Sequence, residues 1–322
     1  MLGKKELKPK IVVTGDSVEC PVTGCERYVE RQTHHFRREE RFQCPIHRII
    51  ISPTTFEYPD PVDNSLWGSQ ADLDLLRKIN TVKRECRMAR DNSEDALTWN
   101  VFRYLQTADQ LTGLLSWLTG RDEEQTELIY WSYSQKENGS WTMLNTARRE
   151  FGEHLQRSSE PDLIAVTSRA LFFLEAKLTA TNNTIPGNPD NLKKYLTGGR
   201  DWVKQVIKSD FDTVAIRAKK YELFRFWLLG SWMAAQMGLD FYLVNIVPSA
   251  RETDIEARFV PHVRLTGSRQ FRRLSWEEIC ARVARHAPDG EESRRLVTYL
   301  QDKTTGYNRS GELQMAFSGI NY

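Results

Sequence analysis

Charge of one sign is missing from this chain: 45 Lys and Arg stand against 43 Asp and Glu in 322 residues, a formal net charge of +2. A polycation that coats nucleic acid is thereby excluded, and any nucleic-acid footprint must be a local patch. Long apolar runs are missing too. The greasiest stretch, residues 226–239, holds 14 residues between Arg225 and Asp240, fewer than the about 20 that span a bilayer. Residues 1–10 are Lys-rich and followed only by the short run 11–14, which is no secretory signal. Cysteine is scarce and odd in number, five in all, so a disulfide framework is not expected. The expectation is a cytoplasmic protein with no membrane partner. The Gly-x4-Gly-Lys-Ser/Thr loop of nucleotide-driven motors is also missing.

What is present is core material. Apolar residues make up 40% of the chain, with nine Trp and 14 Phe, which excludes disorder and rod-like repeats and allows one large domain or two smaller ones. The first 65 residues are rich in turn formers and end in a Pro-rich stretch, Tyr58-Pro59-Asp60-Pro61. Helical spacing then takes over at 71–86, at 93–105 behind the N-cap Ser93, and at 108–118 before Gly120. Strands are expected at 128–133, 162–167, 171–178 and 241–247, and near 257–265. Ser168-Arg169 would form the tight connection between the second and third. Helices are expected at 141–151, 191–209 and 218–236 and from near Ser275 and Asp289. The order predicts an α/β fold with a mixed central sheet flanked by helices.

Glu160-Pro161-Asp162 and Glu175-Ala176-Lys177 carry the most chemistry. Side chains two apart on a strand share a face, so Glu175 and Lys177 project together, and a hairpin would bring Asp162 level with them. Two carboxylates and an amine at one point suit metal-assisted phosphodiester hydrolysis. Mg²⁺ takes one or two carboxylates, here Asp162 and Glu175, and Lys177 would orient the attacking water or stabilise the developing oxyanion. Pro-Asp occurs four times and an acidic-x-Lys triplet twice, but only Asp162 precedes such a triplet within an apolar strand.

On these residues, Pro161-Asp162, twelve intervening positions, then Glu175-Ala176-Lys177, the chain resembles the PD-(D/E)xK nuclease superfamily, the restriction-endonuclease-like group. The resemblance implies a core of helix, three strands, helix and strand over about 93–250. It also implies divalent-metal-dependent cleavage of nucleic acid, with Asp162 and Glu175 as ligands and Lys177 as catalytic lysine. Glu94, in the first turn of the core helix, would add a third acidic ligand, with Asp95 next in line. Macrodipole stabilisation of that turn is the plain alternative for Glu94. Gln205 occupies a place where some relatives carry a polar site residue, although an ordinary exposed helix-surface Gln is the favoured reading.

Cys20, Cys25, Cys44 and His47 form two short pairs, 18 residues apart, and fit a closed tetrahedral structural Zn²⁺ site of zinc-ribbon type. His34 and His35 lie between the pairs as substitutes for His47. Cys86 and Cys280 read as ordinary thiols. Between Asn191 and Arg225 nine Lys/Arg face four acids. Lys193, Lys194, Arg200, Lys204 and Lys208 on a basic helix are therefore candidates for the phosphate backbone. The aromatic helix that follows reads as core.

The expectation is a zinc-ribbon-like module at 1–65 and a nuclease-like domain at 66–322 with a C-terminal helical extension. The expected activity is that of a Mg²⁺- or Mn²⁺-dependent endonuclease acting on DNA, and family association suggests restriction or defence against foreign DNA. A nuclease for RNA or structured junctions, or a non-catalytic nucleic-acid-binding adaptor, is the alternative. A homodimer or a separate motor subunit is the expected protein partner.

Overall fold

The structure is a computed structural model that describes residues 1–33, 36–155, 160–188, 191–286 and 290–320. The chain packs as two compact units. One joins Met1–Leu73, Cys86–Thr107 and Trp276–Tyr322; the other joins Asp74–Glu85 and Ala108–Ser275.

The first unit opens with two small antiparallel hairpins, β1 (Ser17–Glu19) with β2 (Tyr28–Glu30) and β3 (Ile50–Ile51) with β4 (Phe56–Glu57). Helix α1 (Gln70–Val82) carries the chain into the second unit and α2 (Glu94–Thr107) belongs again to the first. Ser93 caps α2, its hydroxyl accepting the Ala96 N–H at 3.1 Å.

The second unit continues with α3 (Leu111–Thr119), β5 (Glu127–Tyr130), β6 (Tyr133–Ser134), β7 (Gly139–Ser140), α4 (Thr142–Glu150), β8 (Leu163–Val166) and β9 (Ala170–Ala176). It ends with α5 (Asn191–Val206), α6 (Tyr221–Met237), β10 (Asp240–Val247), α7 (Ile255–Phe259) and β11 (Arg269–Ser275). Its seven-stranded mixed sheet runs β11-β10-β9-β8-β5-β6-β7. Strands β8 and β9 are antiparallel, while β10 is parallel to both β9 and β11. Strand β9 is buried along its whole length, as a central strand covered on both faces must be.

Leu171 and Phe173 of β9, and Phe241 and Leu243 of β10, pack into one core with Phe226, Trp227 and Met233 of α6. Burial of each such side chain contributes about 1.5–3 kcal/mol. Gly230 lets α6 approach the sheet, since a Cβ there would sit 2.2 Å from the Phe241 ring. The aromatic helix is core, as its periodicity indicates.

The chain returns to the first unit through α8 (Trp276–His286), α9 (Glu291–Asp302) and the hairpin β12 (Thr304–Tyr307) with β13 (Leu313–Met315). The C-terminal extension is therefore helical and then β. It is stitched to the amino-terminal residues: the Tyr307 hydroxyl donates to the Lys8 carbonyl at 2.9 Å, and the Ile11 N–H donates to that of Gly311 at 2.8 Å. Thr304 reaches the buried Asp91 carboxylate at 2.8 Å, and Leu66 and Trp67 bond Asn100 of α2. These bonds explain why contacts do not divide the chain near residue 65.

Three local expectations are corrected. No strand covers 257–265, where α7 and a single tight turn (Val260–His262) stand instead; the edge strand is β11, whose five polar or basic residues masked it. The run 128–133 is interrupted, because Trp131 and Ser132 take φ of 44° and 86°. The helix expected at 191–209 is broken at Gly198–Asp201, where Gly198 leaves room for Phe151, whose ring would lie 2.7 Å from an added Cβ.

Candidate active site and metal centre

The ladder between β8 and β9 ends at Leu163↔Leu174, and one further step in that register sets Asp162 opposite Glu175. On the other side, β10 places Asn245 beside Glu175. The parity of the strands puts Asp162, Glu175 and Asn245 on the face covered by α6, in line with Ile164, Phe173 and Leu243 of the shared core.

Asp162 is held from two directions. Its Oδ2 accepts the Ala176 N–H at 2.8 Å and its Oδ1 accepts the Trp131 indole N–H at 3.2 Å. Trp131 also donates its backbone N–H to the Asp162 carbonyl at 3.1 Å. A bulky aromatic at positive φ is unfavourable, and here that backbone turn is what aims both donors at one residue. Glu160, on the same approach, accepts from the Ser132 hydroxyl at 3.2 Å. Burial raises its carboxyl above the ordinary range, against the opposing charges of Arg148 and Lys83.

Glu175 is 3% exposed, and its Oε1 accepts from the Lys177 ammonium. Its Oε2 is buried with no hydrogen-bond partner among the described residues. Burial pushes its carboxyl well above the usual range; Lys177 opposes this, and the negative charges of Asp162 and Glu222 add to it. Lys177 also reaches Glu222 Oε2, at the start of α6, at 3.3 Å. A buried carboxylate oxygen without a donor is costly. The Lys177 ammonium is shared between Glu175 and Glu222. The oxygen donors here are of the hard type that Mg²⁺-class cations take, although among the described residues only the thiol cluster gathers three or more ligand atoms close enough to hold an ion.

Strand pairing therefore brings Asp162, Glu175 and Lys177 together. Glu94 stands in the first turn of α2, in the other unit, and Gln205 is exposed. Sequence reasoning did not find Glu222, Asn245, Asn182 or Glu252. Asn182 Nδ2 donates to Asn245 Oδ1 at 2.8 Å and to Glu252 at 2.5 Å. The available signal was Asn245 itself, an amide inside the apolar run Phe241–Val247 on the core-facing parity.

The second cluster lies in the first unit. One ligand atom from each of Cys20, Cys25, Cys44 and His47 falls within 4.8 Å of the others. Cys20 Sγ and Cys44 Sγ each lie 3.6 Å from His47 Nδ1, and Cys25 Sγ lies 3.9 Å from Cys44 Sγ. A tetrahedron with Zn–S near 2.3 Å has edges of about 3.8 Å, so the residues fit a metal ion such as zinc. Each knuckle has a turn that supplies this spacing, with Gly24 at φ 78° in the first and Arg48 at φ 58° closing the second through its N–H to the Cys44 carbonyl at 2.8 Å. His34 and His35 lie outside the described residues. Cys280 is buried, its thiol pushed up to about 12 by burial, as an unreactive core thiol would be.

The basic candidates divide across the break in α5. Lys193, Arg200, Lys204 and Lys208 are exposed and Lys194 is half-buried, but Arg200 lies within the break Gly198–Asp201 and Lys208 beyond the end of α5, so they do not form one helical stripe. Lys204 and Lys208 border a cavity of about 720 Å³ that also touches Ile207, Phe211 and Arg264. Among the described residues no helix is long and apolar enough to cross a membrane. No known protein family, curated protein or solved structure matches this chain.

Proposed function

We propose that the chain is a metal-dependent endonuclease that hydrolyses DNA phosphodiester bonds at the centre formed by Asp162, Glu175 and Lys177. The observation that carries this reading is the partnerless buried oxygen of Glu175, set opposite Asp162 and beside an ammonium. Antiparallel β8 and β9 next to parallel β10 support a restriction-endonuclease-like core, and the four-ligand cluster supports a structural zinc in the amino-terminal module. Glu94 joins the proposed ligands through the sequence motif alone.

In this reading Asp162 and Glu175 hold Mg²⁺ or Mn²⁺. The bound ion supplies charge neutralisation and a water of lowered pKa. The chain's own residues do the rest. Trp131 and Ala176 fix the Asp162 carboxylate by two N–H donors, so it needs no reorganisation when substrate arrives. Lys177 orients the attacking water and, as an ammonium, stabilises negative charge growing on the scissile phosphate. Glu222 holds that ammonium in place between turnovers. Exposed Lys193, Arg200, Lys204 and Lys208 meet the phosphate backbone. A homodimer would supply a second centre for the opposite strand.

The test is incubation of the purified chain with plasmid, linear duplex, single-stranded DNA and RNA, with and without Mg²⁺ or Mn²⁺. DNA should be cut only with the ion, and Asp162→Ala or Lys177→Ala should each reduce the rate by about 10²–10⁴-fold. Cleavage that survives both substitutions overturns the proposal. Cutting of RNA alone would make it a ribonuclease, and binding without cutting would make it an adaptor.

A further inference from the structure

We infer that Glu252 is a positioning residue of this centre, acting through Asn182 and Asn245. The inference rests on the proposed metal-dependent reading of Asp162 and Glu175. Asn245 and Asn182 are both fully buried, where an amide needs its hydrogen bonds made; both polar atoms of the Asn245 side chain are bonded, and Asn182 is held through its two N–H donors while its Oδ1 accepts none among the described residues. Asn245 is the strand neighbour of Glu175. Its Oδ1 accepts from Asn182 Nδ2 at 2.8 Å, and its own Nδ2 donates to Glu252 Oε2 at 3.2 Å. Asn182 in turn gives Glu252 both its backbone N–H, at 2.8 Å, and its Nδ2, at 2.5 Å. Three donors from two residues thus converge on one carboxylate.

The backbone is bent to permit it. Glu252 has φ 46°, a conformation that side-chain-bearing residues avoid unless the surroundings impose it. Arg251 beside it donates to the carbonyls of Leu178 and Thr179 at 2.7 and 2.8 Å. Two consecutive residues therefore grip the chain from 178 to 182, directly after Lys177, whose own N–H is bonded to the Ile246 carbonyl at 2.8 Å. Lys220 closes the far side, its buried ammonium donating to Asn183 Oδ1 at 2.8 Å. The chain of bonds starts at a strained carboxylate and ends at the strand neighbour of the proposed ligand Glu175. These bonds reach Glu175 through the pairing of β10 with β9 rather than by a hydrogen bond to its carboxylate; loss of partners bonded directly to a ligand typically costs 10–100-fold in metal affinity, which bounds the effect expected here.

The experiment compares the full chain, purified with zinc present, with Glu252→Gln, Asn182→Ala, Glu256→Gln and Asp162→Ala. Mn²⁺ binding is read by electron paramagnetic resonance and backbone opening by amide hydrogen exchange. Glu256 is the control, since its carboxylate caps the Arg273 N–H at 3.1 Å and lies outside the Asn182–Asn245 bonds. Glu252→Gln and Asn182→Ala should each weaken Mn²⁺ binding tenfold or more and speed exchange at Lys177 as well as at Asn182, while Glu256→Gln does neither. Wild-type Mn²⁺ affinity in both variants, faster exchange confined to 182–184, or an equal loss in Glu256→Gln would overturn the inference. Identical Mn²⁺ binding by wild type and Asp162→Ala would overturn the metal reading instead. The exchange at Lys177 would still decide whether Glu252 positions that lysine.

Discussion

The thiol cluster of the first unit and the carboxylate–lysine cluster of the second both gather groups that are unfavourable to bury together, and they differ in how complete each is. Three sulfurs and an imidazole nitrogen sit close enough to form the corners of a tetrahedron, with four ligands and no further position. That is the form of a structural site. The sheet cluster offers two carboxylates, one of them with a buried oxygen that accepts no hydrogen bond among the described residues, and an ammonium shared with a third carboxylate, Glu222. A closed four-ligand set contributes stability when loaded; a buried carboxylate with an unsatisfied oxygen costs stability when empty. The two regions should therefore respond oppositely to the loss of a ligand.

The largest expected effect is on the closed site. Cys44→Ser, or a strong zinc chelator, should unfold the amino-terminal hairpins. Zinc binding in small modules amounts to about 10–16 kcal/mol of folding free energy, and Cys44 is fully buried in that module's core. Metal stoichiometry near one and a large drop in the thermal midpoint would check it. An unchanged midpoint would remove the contrast.

The sheet cluster should lose activity rather than stability. Glu175→Gln should abolish cleavage and yet make the metal-free chain more stable at neutral pH. The sign follows from the raised carboxyl of Glu175. Its contribution to stability is full below the ordinary carboxylate range and is lost as pH rises through its folded value, because the unfolded chain releases the proton first. Denaturant midpoints of wild type and Glu175→Gln, measured without metal, should converge at acid pH and separate as pH rises, with the variant the more stable.

A smaller effect tests whether the basic segments belong to the sheet cluster. Lys204→Ala and Lys208→Ala should weaken duplex binding uniformly across sequences, each lowering the salt slope by about 1. They should leave zinc content and the thermal midpoint unchanged. A sequence-dependent loss would mean base contacts instead.

The sequence made the local parts of each site legible and the distant parts obscure. Asp162, Glu175 and Lys177 could be read because a hairpin with a two-residue connection fixes their register, and the four zinc-type ligands because each pair spans one turn. Glu222 and Glu252 reach the same face from α6 and from the turn after β10, and their contact depends on packing that no spacing encodes. Asn245 could have been noticed, as an amide in a buried strand needs a partner. Strand β11 hid behind Arg269, Arg272 and Arg273, tolerated because it is an edge. The contacts that link the amino-terminal residues to the end of the chain were hidden for a similar reason: the bonds between Lys8 and Tyr307 and between Asp91 and Thr304 join residues more than 200 positions apart.

The central claim is that Asp162 and Glu175 jointly hold a divalent ion beside Lys177. A crystal of the chain soaked in Mn²⁺, with anomalous differences collected above the manganese edge, tests it most directly. The account requires a peak within coordination distance of both carboxylates, with the Lys177 ammonium drawn off Glu175 Oε1. A map with no peak there, and Lys177 still bonded to Glu175 at saturating Mn²⁺, would contradict it.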